Sequence, residues 1–322
     1  MSSRARMWMA VAAKVTVTVA LLAWLLSTID WSELVARMTG ISPGPLLLAV
    51  FLLFIIIVPV ARRWHLIVLA LEGHISFAQA FRMVLMTVLL NQSVPSNLGG
   101  DAYRIVATSR TGMPWKRATL AAIVDRLIAL LALAIVALFG VLSLLNLAGL
   151  EYHRYIAIAG TGAIICGAML AWLFFRSNLA EKLAEKVELF GRLRSALAAL
   201  LDDPAEAAYL LLLSIVVQFV TIAAMSLVAI DTGVAVPLLP MLAVCALGLL
   251  IARLPVSYGG WGVREGTLVL GFAPFGVTRE AALAASITYG LTELAAAVIG
   301  GLVWVALSVA SDTRLGSKGQ AS

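Results

Sequence analysis

The sequence PSNLGGDAYR at residues 95–104 returns in modified form as PVSYGGWGVR at residues 255–264. The proline, both glycines and the final arginine recur at a constant offset of 160 residues. Each copy ends a strongly apolar segment, and proline with paired glycines makes a helix stop and turn back. In a membrane protein, such breaks at corresponding positions of two halves are the best sequence indicator of a transport site. We call these two stretches the first and second Gly-Gly motifs.

The composition places the chain among polytopic membrane proteins. Of its 322 residues, 62% are hydrophobic and only 12% are charged, and the mean hydropathy is +1.02. Soluble domains are about half apolar and about a quarter charged, so we predict an all-α transmembrane helix bundle. The net charge of +6 lies in short loops between apolar spans, where cations set orientation and attract anionic lipid headgroups. The sequence therefore does not indicate a nucleic-acid partner.

Apolar runs long enough to cross a bilayer recur along the chain, since a helix needs about 20 residues to span the hydrocarbon core. The first run follows a basic N-terminus, but it is too long for a signal peptide, so we expect an uncleaved helix. Two further runs, 78–98 and 237–258, end in the Gly-Gly motifs. The predicted spans are 7–29, 43–61, 118–147, 154–175, 206–230 and 280–310.

Loop charges predict the orientation of these spans. By the positive-inside rule the basic loops and both termini face the cytoplasm, which predicts a multi-pass protein of the cell inner membrane. The loops at 62–65 and 104–117 both carry such charges, so the segment between them enters and returns as a re-entrant hairpin (78–104). The same parity makes 237–276 a re-entrant hairpin from the opposite face. The two hairpins are therefore predicted to form an inverted repeat.

A second match extends the repeat beyond the Gly-Gly motifs. The sequences ATLAAIVDRL from Ala118 and ALAASITYGL from Ala282 share alanines, isoleucine and leucine at an offset of 164 residues. Each unit is thus predicted to be a broken hairpin followed by a helix rich in small residues. The predicted organisation is an N-terminal half (1–176), a cytoplasmic linker (177–205) and a C-terminal half (206–322). The linker pattern fits either an amphipathic surface helix or a plain helical connection.

The candidate site residues of the first half surround its Gly-Gly motif. Asn91 precedes the break and either hydrogen-bonds a headgroup or caps groups freed by the broken helix. Asp101 either pairs with Arg104 three residues later or caps the next helix, and Arg104 is suited to bidentate phosphate contacts. Asp125 and Arg126 lie within the following span, where ionisable groups are costly and usually functional.

The second half offers a related set. Arg264 is the counterpart of Arg104, and Arg253 is the most deeply embedded cation of this half. Glu265 and Glu293 are the predicted counter-charges of Arg253. Either carboxylate can form a buried ion pair or carry a coupling proton.

The breaks themselves have two interpretations. Their glycine N–H groups and half-helix N-termini can let an anionic headgroup approach closely. Alternatively, the glycines allow close helix packing and the arginines anchor at the interface, as the run Arg62-Arg63-Trp64 is expected to do. The residues of the breaks that we include in the predicted site are Pro95, Gly99, Gly100, Pro255, Gly259 and Gly260.

Signals of enzymatic chemistry are absent from the sequence. It contains no metal-ligand spacing, no phosphate-cradling P-loop and no serine elbow. Cys166 and Cys245 lie in apolar runs, where cysteine is a small packing residue. We therefore predict a protein that is not an enzyme and that uses no metal or cofactor.

The residues quoted above resemble the lysylphosphatidylglycerol-synthase transmembrane-region family of bacteria and archaea. The resemblance rests on the stretch 91–104 with Asp125-Arg126, and on 255–265 with its Gly-Gly-x-Gly-x-Arg-Glu ending. It implies a role in moving lipids between leaflets, as in the flippase-like half of the multiple peptide resistance factor. The family's soluble aminoacyl-transfer domain has no counterpart here, so lipid aminoacylation is not expected. Tyr289-Gly290 stands where the second half of such proteins often has an arginine, so we do not expect a fully symmetric charge arrangement.

The expected function is flippase-like transport of an anionic phospholipid or glycolipid headgroup through a polar cavity at the two broken hairpins. Two alternatives stay open at this point. One is a lipid-binding scaffold that assists enzymes of envelope lipid or polysaccharide synthesis without transporting. The other is an ion-coupled solute carrier. The expected partners are membrane lipids, with envelope-biosynthesis enzymes and a second copy of the chain left open.

Overall fold

The computed structural model describes residues 3–93, 99–144, 188–253, 257 and 260–319. Within these ranges the secondary structure is helical and contains no strand, which confirms the all-α prediction. The helices are α1 (Ser3–Leu26), α2 (Trp31–Thr39), α3 (Pro43–Ile55), α4 (Ile57–Ala70), α5 (Phe77–Ser93), α6 (Gly99–Ser109), α7 (Trp115–Leu144), α8 (Glu188–Asp202), α9 (Pro204–Asp231), α10 (Leu238–Ala252), α11 (Val263–Phe272) and α12 (Arg279–Gly319), with a 3-10 turn at Ala273–Phe275.

Four of the described helical segments are long and apolar enough to cross a membrane, and α1 with α2 makes a fifth if this pair, bent by 97°, is one span. The predicted spans 43–61, 118–147, 206–230 and 280–310 each fall on one of the four. The predicted span 154–175 lies outside the described residues. The four segments are Pro43–Ala70, Trp115–Leu142, Pro204–Asp231 and Arg279–Val309.

The second span is longer than predicted, and this corrects the interpretation of its arginines. The sequence places the end of the span before Arg62, but α3 and α4 together continue to Ala70. Arg63 and Trp64 are buried between helices rather than exposed at the surface of the bundle, with only 4% and 0% exposure. In a prediction from hydropathy, a charged residue marks the end of a span because burying the charge in the membrane is costly. Here a partner from another helix compensates the charge, as described below, so the helix continues.

A short helix, α2, lies between the first two predicted spans, 7–29 and 43–61. The Asp30 carboxylate accepts hydrogen bonds from the backbone N–H groups of Ser32 and Glu33 and so caps the start of α2. The Ser32 hydroxyl also donates to this carboxylate, and these hydrogen bonds lower the pKa of Asp30. The sequence Asp-Trp-Ser-Glu is a regular helix start, so the capping rules could have found α2.

The two hairpins pack in a reciprocal way. In the first hairpin α5 packs on α6, and in the second α10 packs on α11. The second arm of each hairpin contacts the long helix that follows it, α6 on α7 and α11 on α12. The first arm contacts the long helix of the other half instead, α5 on α12 and α10 on α7. Since α7 and α12 are the two helices matched in sequence, the contacts follow the internal repeat.

One end of the bundle collects basic residues, and we call it the basic end. Here Arg117, in the first turn of α7, forms an ion pair with Glu72, just after α4. A Cβ on Gly73 would lie 2.9 Å from the Met113 sulfur, so the end of α4 and the start of α7 are in direct contact. The helix α8 packs on α7 and α9, and it covers residues 188–202 of the predicted linker.

The opposite end of the bundle holds the start of α12. The backbone N–H of Asp30 donates to the Glu280 carboxylate over 3.0 Å. The backbone N–H of Ser42, at the start of α3, donates to Asp231 at the end of α9 over 2.6 Å. The span formed by α3 and α4 thus starts at the end of the bundle that holds the start of α12 and finishes beside the start of α7. The helices α7 and α12 therefore begin at opposite ends of the bundle. An inverted repeat requires this arrangement, although the inverted relation itself stays a prediction.

The contact between α7 and α10 gives a stability prediction. A Cβ on Gly140 would lie 2.7 Å from the Ala243 Cα, a backbone atom that cannot move aside easily. Gly140→Ala is therefore expected to lower the free energy of unfolding by about 1–3 kcal/mol through overpacking. Gly266→Ala is the matched control, because a Cβ there meets nothing within 4 Å and alanine favours a helix. Thermal unfolding of both variants in detergent tests this, and an unchanged Tm for Gly140→Ala would contradict it.

Candidate functional site

Arg104 stands at the centre of a buried ion cluster in the first half. Its Nη2 lies 2.6 Å from the Asp101 Oδ1, and its Nη1 lies 3.0 Å from the Asp125 Oδ2. The three side chains come from neighbouring helices, α6 and α7, and all three residues are buried. The Arg104 guanidinium also lies 4.4 Å from the centre of the Trp64 ring, a cation–π contact.

Two further arginines extend this cluster on either side. The Arg63 Nε lies 2.7 Å from the Asp125 Oδ1, and the Arg63 Nη1 donates to the Ser214 hydroxyl over 2.9 Å. The Arg126 Nε lies 2.5 Å from the Asp101 Oδ2. Charges thus alternate through Arg63, Asp125, Arg104, Asp101 and Arg126, and this first cluster carries a net charge of +1. Each of the two carboxylates forms ion pairs with two arginines, so the cluster has one more positive than negative group.

The first hairpin closes tightly around its glycines. The Gly100 N–H donates to the Asn91 Oδ1 over 2.9 Å, so the Asn91 side chain caps α6 rather than standing free for a headgroup. A Cβ on Gly100 would lie 2.5 Å from the Thr87 carbonyl oxygen, which requires glycine here. Gly99 begins α6, while Pro95 lies outside the described residues.

The second half builds its cluster around Arg264. The Arg264 Nη1 lies 3.1 Å from the Glu293 Oε2, and the Arg264 Nη2 lies 3.1 Å from the Glu265 Oε1. Its Nε also donates to the Ser286 hydroxyl over 2.9 Å. Glu265 and Glu293 thus form their ion pairs with Arg264, and Glu293 also lies close enough to Arg253 to interact electrostatically with it. One arginine and two carboxylates give this second cluster a net charge of −1.

The two carboxylates of the second cluster differ in access. Glu265 is 0% exposed and also accepts hydrogen bonds from the Gly262 N–H at 2.6 Å and the Ser286 hydroxyl at 2.8 Å. The Glu293 side chain is 32% exposed and has a single described partner in Arg264. Glu265 is therefore a structural group that starts α11, and Glu293 is the carboxylate that solvent can reach. Gly260 (φ +82°) turns the chain ahead of α11, while Pro255 and Gly259 lie outside the described residues.

The repeat keeps its arginine but changes what surrounds it. Trp261 occupies the position equivalent to Asp101, and Tyr289 occupies the position equivalent to Asp125. The Arg264 guanidinium lies 5.2 Å from the Trp261 ring centre and 5.4 Å from the Tyr289 ring centre. Two aromatic rings thus stand where the first half has two carboxylates.

The equivalent of Arg126 is a glycine, and the packing explains why. A Cβ on Gly290 would lie 2.9 Å from the Arg264 Nη2 and 3.0 Å from the Trp261 ring. No side chain fits there unless Arg264 or Trp261 moves. The second half therefore has no cation at the position equivalent to Arg126.

Arg253 connects the two clusters. It lies close enough to interact electrostatically with Glu293 and Tyr289 of the second half and with Arg63 and Arg126 of the first. The residue is exposed. The Arg126 side chain is also 41% exposed, so these two cations are the accessible ones of the joined site.

Buried polar atoms without ordinary hydrogen bonds lie beside both clusters. They include the Arg104 Nε and the Trp64 Nε1 in the first half, and the Thr288 and Tyr289 hydroxyls in the second. The Tyr289 hydroxyl lies near Glu293 but makes no hydrogen bond of ordinary geometry to it. Buried polar groups almost always have partners, water included.

Backbone N–H groups at both breaks have protein partners. The N–H of Gly100, which was expected to meet an anion, donates to Asn91, and the N–H of Gly262, which follows the predicted Gly259 and Gly260, donates to Glu265. Among the described residues, the accessible positive charge at the two breaks comes instead from Arg126 and Arg253. Several members of the clusters were not among the residues predicted for the site. They are Arg63, Trp64, Ser214, Ser286 and the ring of Tyr289 as a partner of Arg264.

This helix bundle, with charged clusters buried between spans, defines a polytopic integral membrane protein. A model of the lysylphosphatidylglycerol synthase TM region matches residues 11–301. The chain therefore belongs to the lysylphosphatidylglycerol synthase transmembrane-region family. It is also similar to a UPF0104 membrane protein of Methanothermobacter thermautotrophicus, with 21% identity over 301 residues that cover 85% of this chain and 86% of the relative.

The first cluster predicts a large energetic cost when one partner is removed. Asp125→Asn leaves Arg63 and Arg104 without a common counter-charge, so we expect a loss of about 3–5 kcal/mol in the free energy of unfolding. The double variant Arg63→Gln/Asp125→Asn should recover part of this loss, because it removes one of the unpaired cations. Asp202→Asn, at an exposed carboxylate, is the control and should be neutral. Chemical unfolding in detergent measures all three variants. Equal stabilities of Asp125→Asn and Asp202→Asn would contradict the assignment.

Proposed function

We propose that this protein moves an anionic lipid headgroup between leaflets, with the headgroup phosphate held between Arg126 and Arg253. The observation that carries the proposal is the charge balance of the joined site. It contains five arginines and four carboxylates, so its net charge is +1. The exposed arginines of the site are Arg126 and Arg253, since Arg63, Arg104 and Arg264 are buried in ion pairs.

An anionic lipid fits this site for chemical reasons. Guanidinium groups bind phosphate oxygens through paired, charge-assisted hydrogen bonds. A charge within the apolar region of a membrane is costly and usually marks a substrate pathway. The acyl chains stay in the bilayer while the headgroup occupies the polar cavity, so the site needs to enclose only the headgroup.

The helix arrangement supports transport rather than binding alone. The two hairpins pack reciprocally, and the helices after them begin at opposite ends of the bundle. In transporters, paired broken helices at an inverted-repeat interface let one half move against the other and open the site to each side in turn. A non-transporting lipid scaffold does not require this arrangement. We assign the protein no catalytic step.

We place the basic end in the cytoplasm. Lys116, Arg117 and Arg192 lie at this end, and cations favour the cytoplasmic side. The helix α12 starts at the opposite end, and α1 runs toward α2, which bonds the end of α9 through Arg37 and the Thr232 carbonyl. Both termini then fall on the cytoplasmic side, in agreement with the loop charges.

A leaflet-translocation assay tests the proposal. The protein is reconstituted in vesicles with a fluorescent phosphatidylglycerol, and dithionite quenching measures how fast the lipid becomes accessible from outside. Arg126→Gln/Arg253→Gln is expected to slow translocation about tenfold or more, because each charge-assisted contact contributes about 1.5–3 kcal/mol. Arg110→Gln, at an exposed cation outside the clusters, is the control and should translocate at the wild-type rate.

The assay also separates the other functions. Lipid binding without translocation by the wild type would contradict transport and favour the scaffold. Equal rates for the wild type and the double variant would contradict the assigned phosphate position. Proton flux driven by a soluble substrate would indicate a solute carrier instead.

A further inference from the structure

Two polar side chains of α12, Tyr289 and Glu293, lie one helical turn apart and close to Arg253. Residues four positions apart share one face of a helix, and Arg253 lies close enough to both side chains to interact electrostatically with them. The proposed function places the headgroup phosphate between Arg126 and Arg253. The inference below rests on that function and concerns the groups that meet the rest of the headgroup.

Glu293 has an acceptor oxygen to offer a ligand. Its Oε2 accepts a hydrogen bond from the Arg264 Nη1 over 3.1 Å, and its Oε1 accepts none among the described residues. An ionised carboxylate has about four acceptor positions, so this ion pair leaves most of them unused. The side chain is 32% exposed, and a ligand can therefore reach it.

Arg264 does not depend on Glu293 as its counter-charge. The Glu265 Oε1 accepts from the Arg264 Nε over 3.2 Å and from its Nη2 over 3.1 Å. The Ser286 hydroxyl and carbonyl oxygens accept from the same two nitrogens. Glu293 can therefore turn toward a ligand without leaving a buried arginine uncompensated.

The Tyr289 hydroxyl is a buried donor that lacks an acceptor. The residue is 0% exposed, and its hydroxyl makes no hydrogen bond of ordinary geometry to the described residues. Buried hydroxyl groups are almost always hydrogen-bonded. Glu293 interacts electrostatically with this hydroxyl, so a small turn of the carboxylate can supply the missing acceptor and hold the carboxylate in its new orientation.

The charges around Glu293 favour a neutral donor over a cation. Arg264 from α11 forms an ion pair with it, and Arg253, just after α10, interacts with it electrostatically. An ammonium group brought to this carboxylate would be repelled by both arginines. A hydroxyl group donates a hydrogen bond but carries no charge, so the arginines do not repel it.

We propose that Glu293, positioned by Tyr289, accepts a hydrogen bond from a headgroup hydroxyl, and that the substrate is an anionic lipid with a polyol headgroup. The phosphate binds at Arg253, and the hydroxyl donates to the carboxylate of Glu293 from its exposed side. Tyr289 donates to the same carboxylate from the buried side. A glycerol or sugar headgroup can make both contacts because its hydroxyls lie only a few bonds from the phosphate.

The translocation assay tests this inference when it is run with a matched pair of lipids. Phosphatidylglycerol and phosphatidylethanol carry the same acyl-chain fluorophore and the same single phosphodiester charge, but phosphatidylethanol has no headgroup hydroxyl. The wild type is expected to translocate phosphatidylglycerol about tenfold faster or more, because phosphatidylethanol loses a hydrogen bond to a charged group. Glu293→Ala is expected to abolish this preference.

Tyr289→Phe separates the positioning role from packing. The variant keeps the ring beside Arg264 and removes only the hydroxyl, and it is expected to lower the preference for phosphatidylglycerol about two- to threefold with an unchanged Tm. Tyr209→Phe, at an exposed tyrosine outside the clusters, is the matched control and should keep the wild-type preference. An undiminished preference in Tyr289→Phe would overturn the role of this residue.

The remaining outcomes separate this inference from the proposed function. Equal translocation of the two lipids by the wild type overturns the polyol inference alone, and so does an undiminished preference in Glu293→Ala. Faster translocation of phosphatidylethanolamine than of phosphatidylglycerol also overturns it and indicates an ammonium site. Failure to translocate any of the three lipids contradicts the proposed function, and the polyol inference falls with it.

Discussion

Moving a guanidinium group from water into an apolar interior costs more free energy than one ordinary contact recovers. Arg104 is buried in this bundle with two carboxylates, from α6 and α7, on its terminal nitrogens. Those carboxylates in turn hold Arg63 on α4 and Arg126 on α7. One compensated charge thus fixes three helices relative to each other, where apolar packing against lipid supplies little specificity. The order of the helices around the first hairpin depends on this chain of charges.

The second half compensates its buried arginine with different side chains. Arg264 is compensated by Glu265, which lies beside it in sequence, and by Glu293 on α12. Aromatic rings occupy the positions that carry carboxylates in the first half, and a glycine replaces Arg126. The backbone of the repeat and its arginine are retained, while the sign of the net charge is reversed. The two halves therefore contribute different groups around the same arginine of the repeat.

Much of this arrangement could be predicted from the sequence, since hydropathy and the two Gly-Gly motifs identify the described spans and both hairpins. The pairing of Asp101 with Arg104 also follows from their spacing of three residues on a helix. The partners of Asp125 could not be predicted, because Arg63 lies 62 residues away and loop-charge rules assign it to the interface. Likewise, the ion pair between Glu293 and Arg264 could not be predicted, since sequence spacing does not show how α11 and α12 face each other.

The unequal net charges of the two halves have an electrical consequence. The first cluster carries +1, whereas Arg253 beside Glu293 offsets the −1 of the second cluster, so the net charge of the site lies in the first half of the bundle. Any displacement of one half against the other along the membrane normal moves charge through part of the electric field. A full elementary charge crossing 100 mV corresponds to about 2.3 kcal/mol. If transport moves one half against the other as proposed, the membrane voltage would therefore bias which arrangement of the two halves predominates.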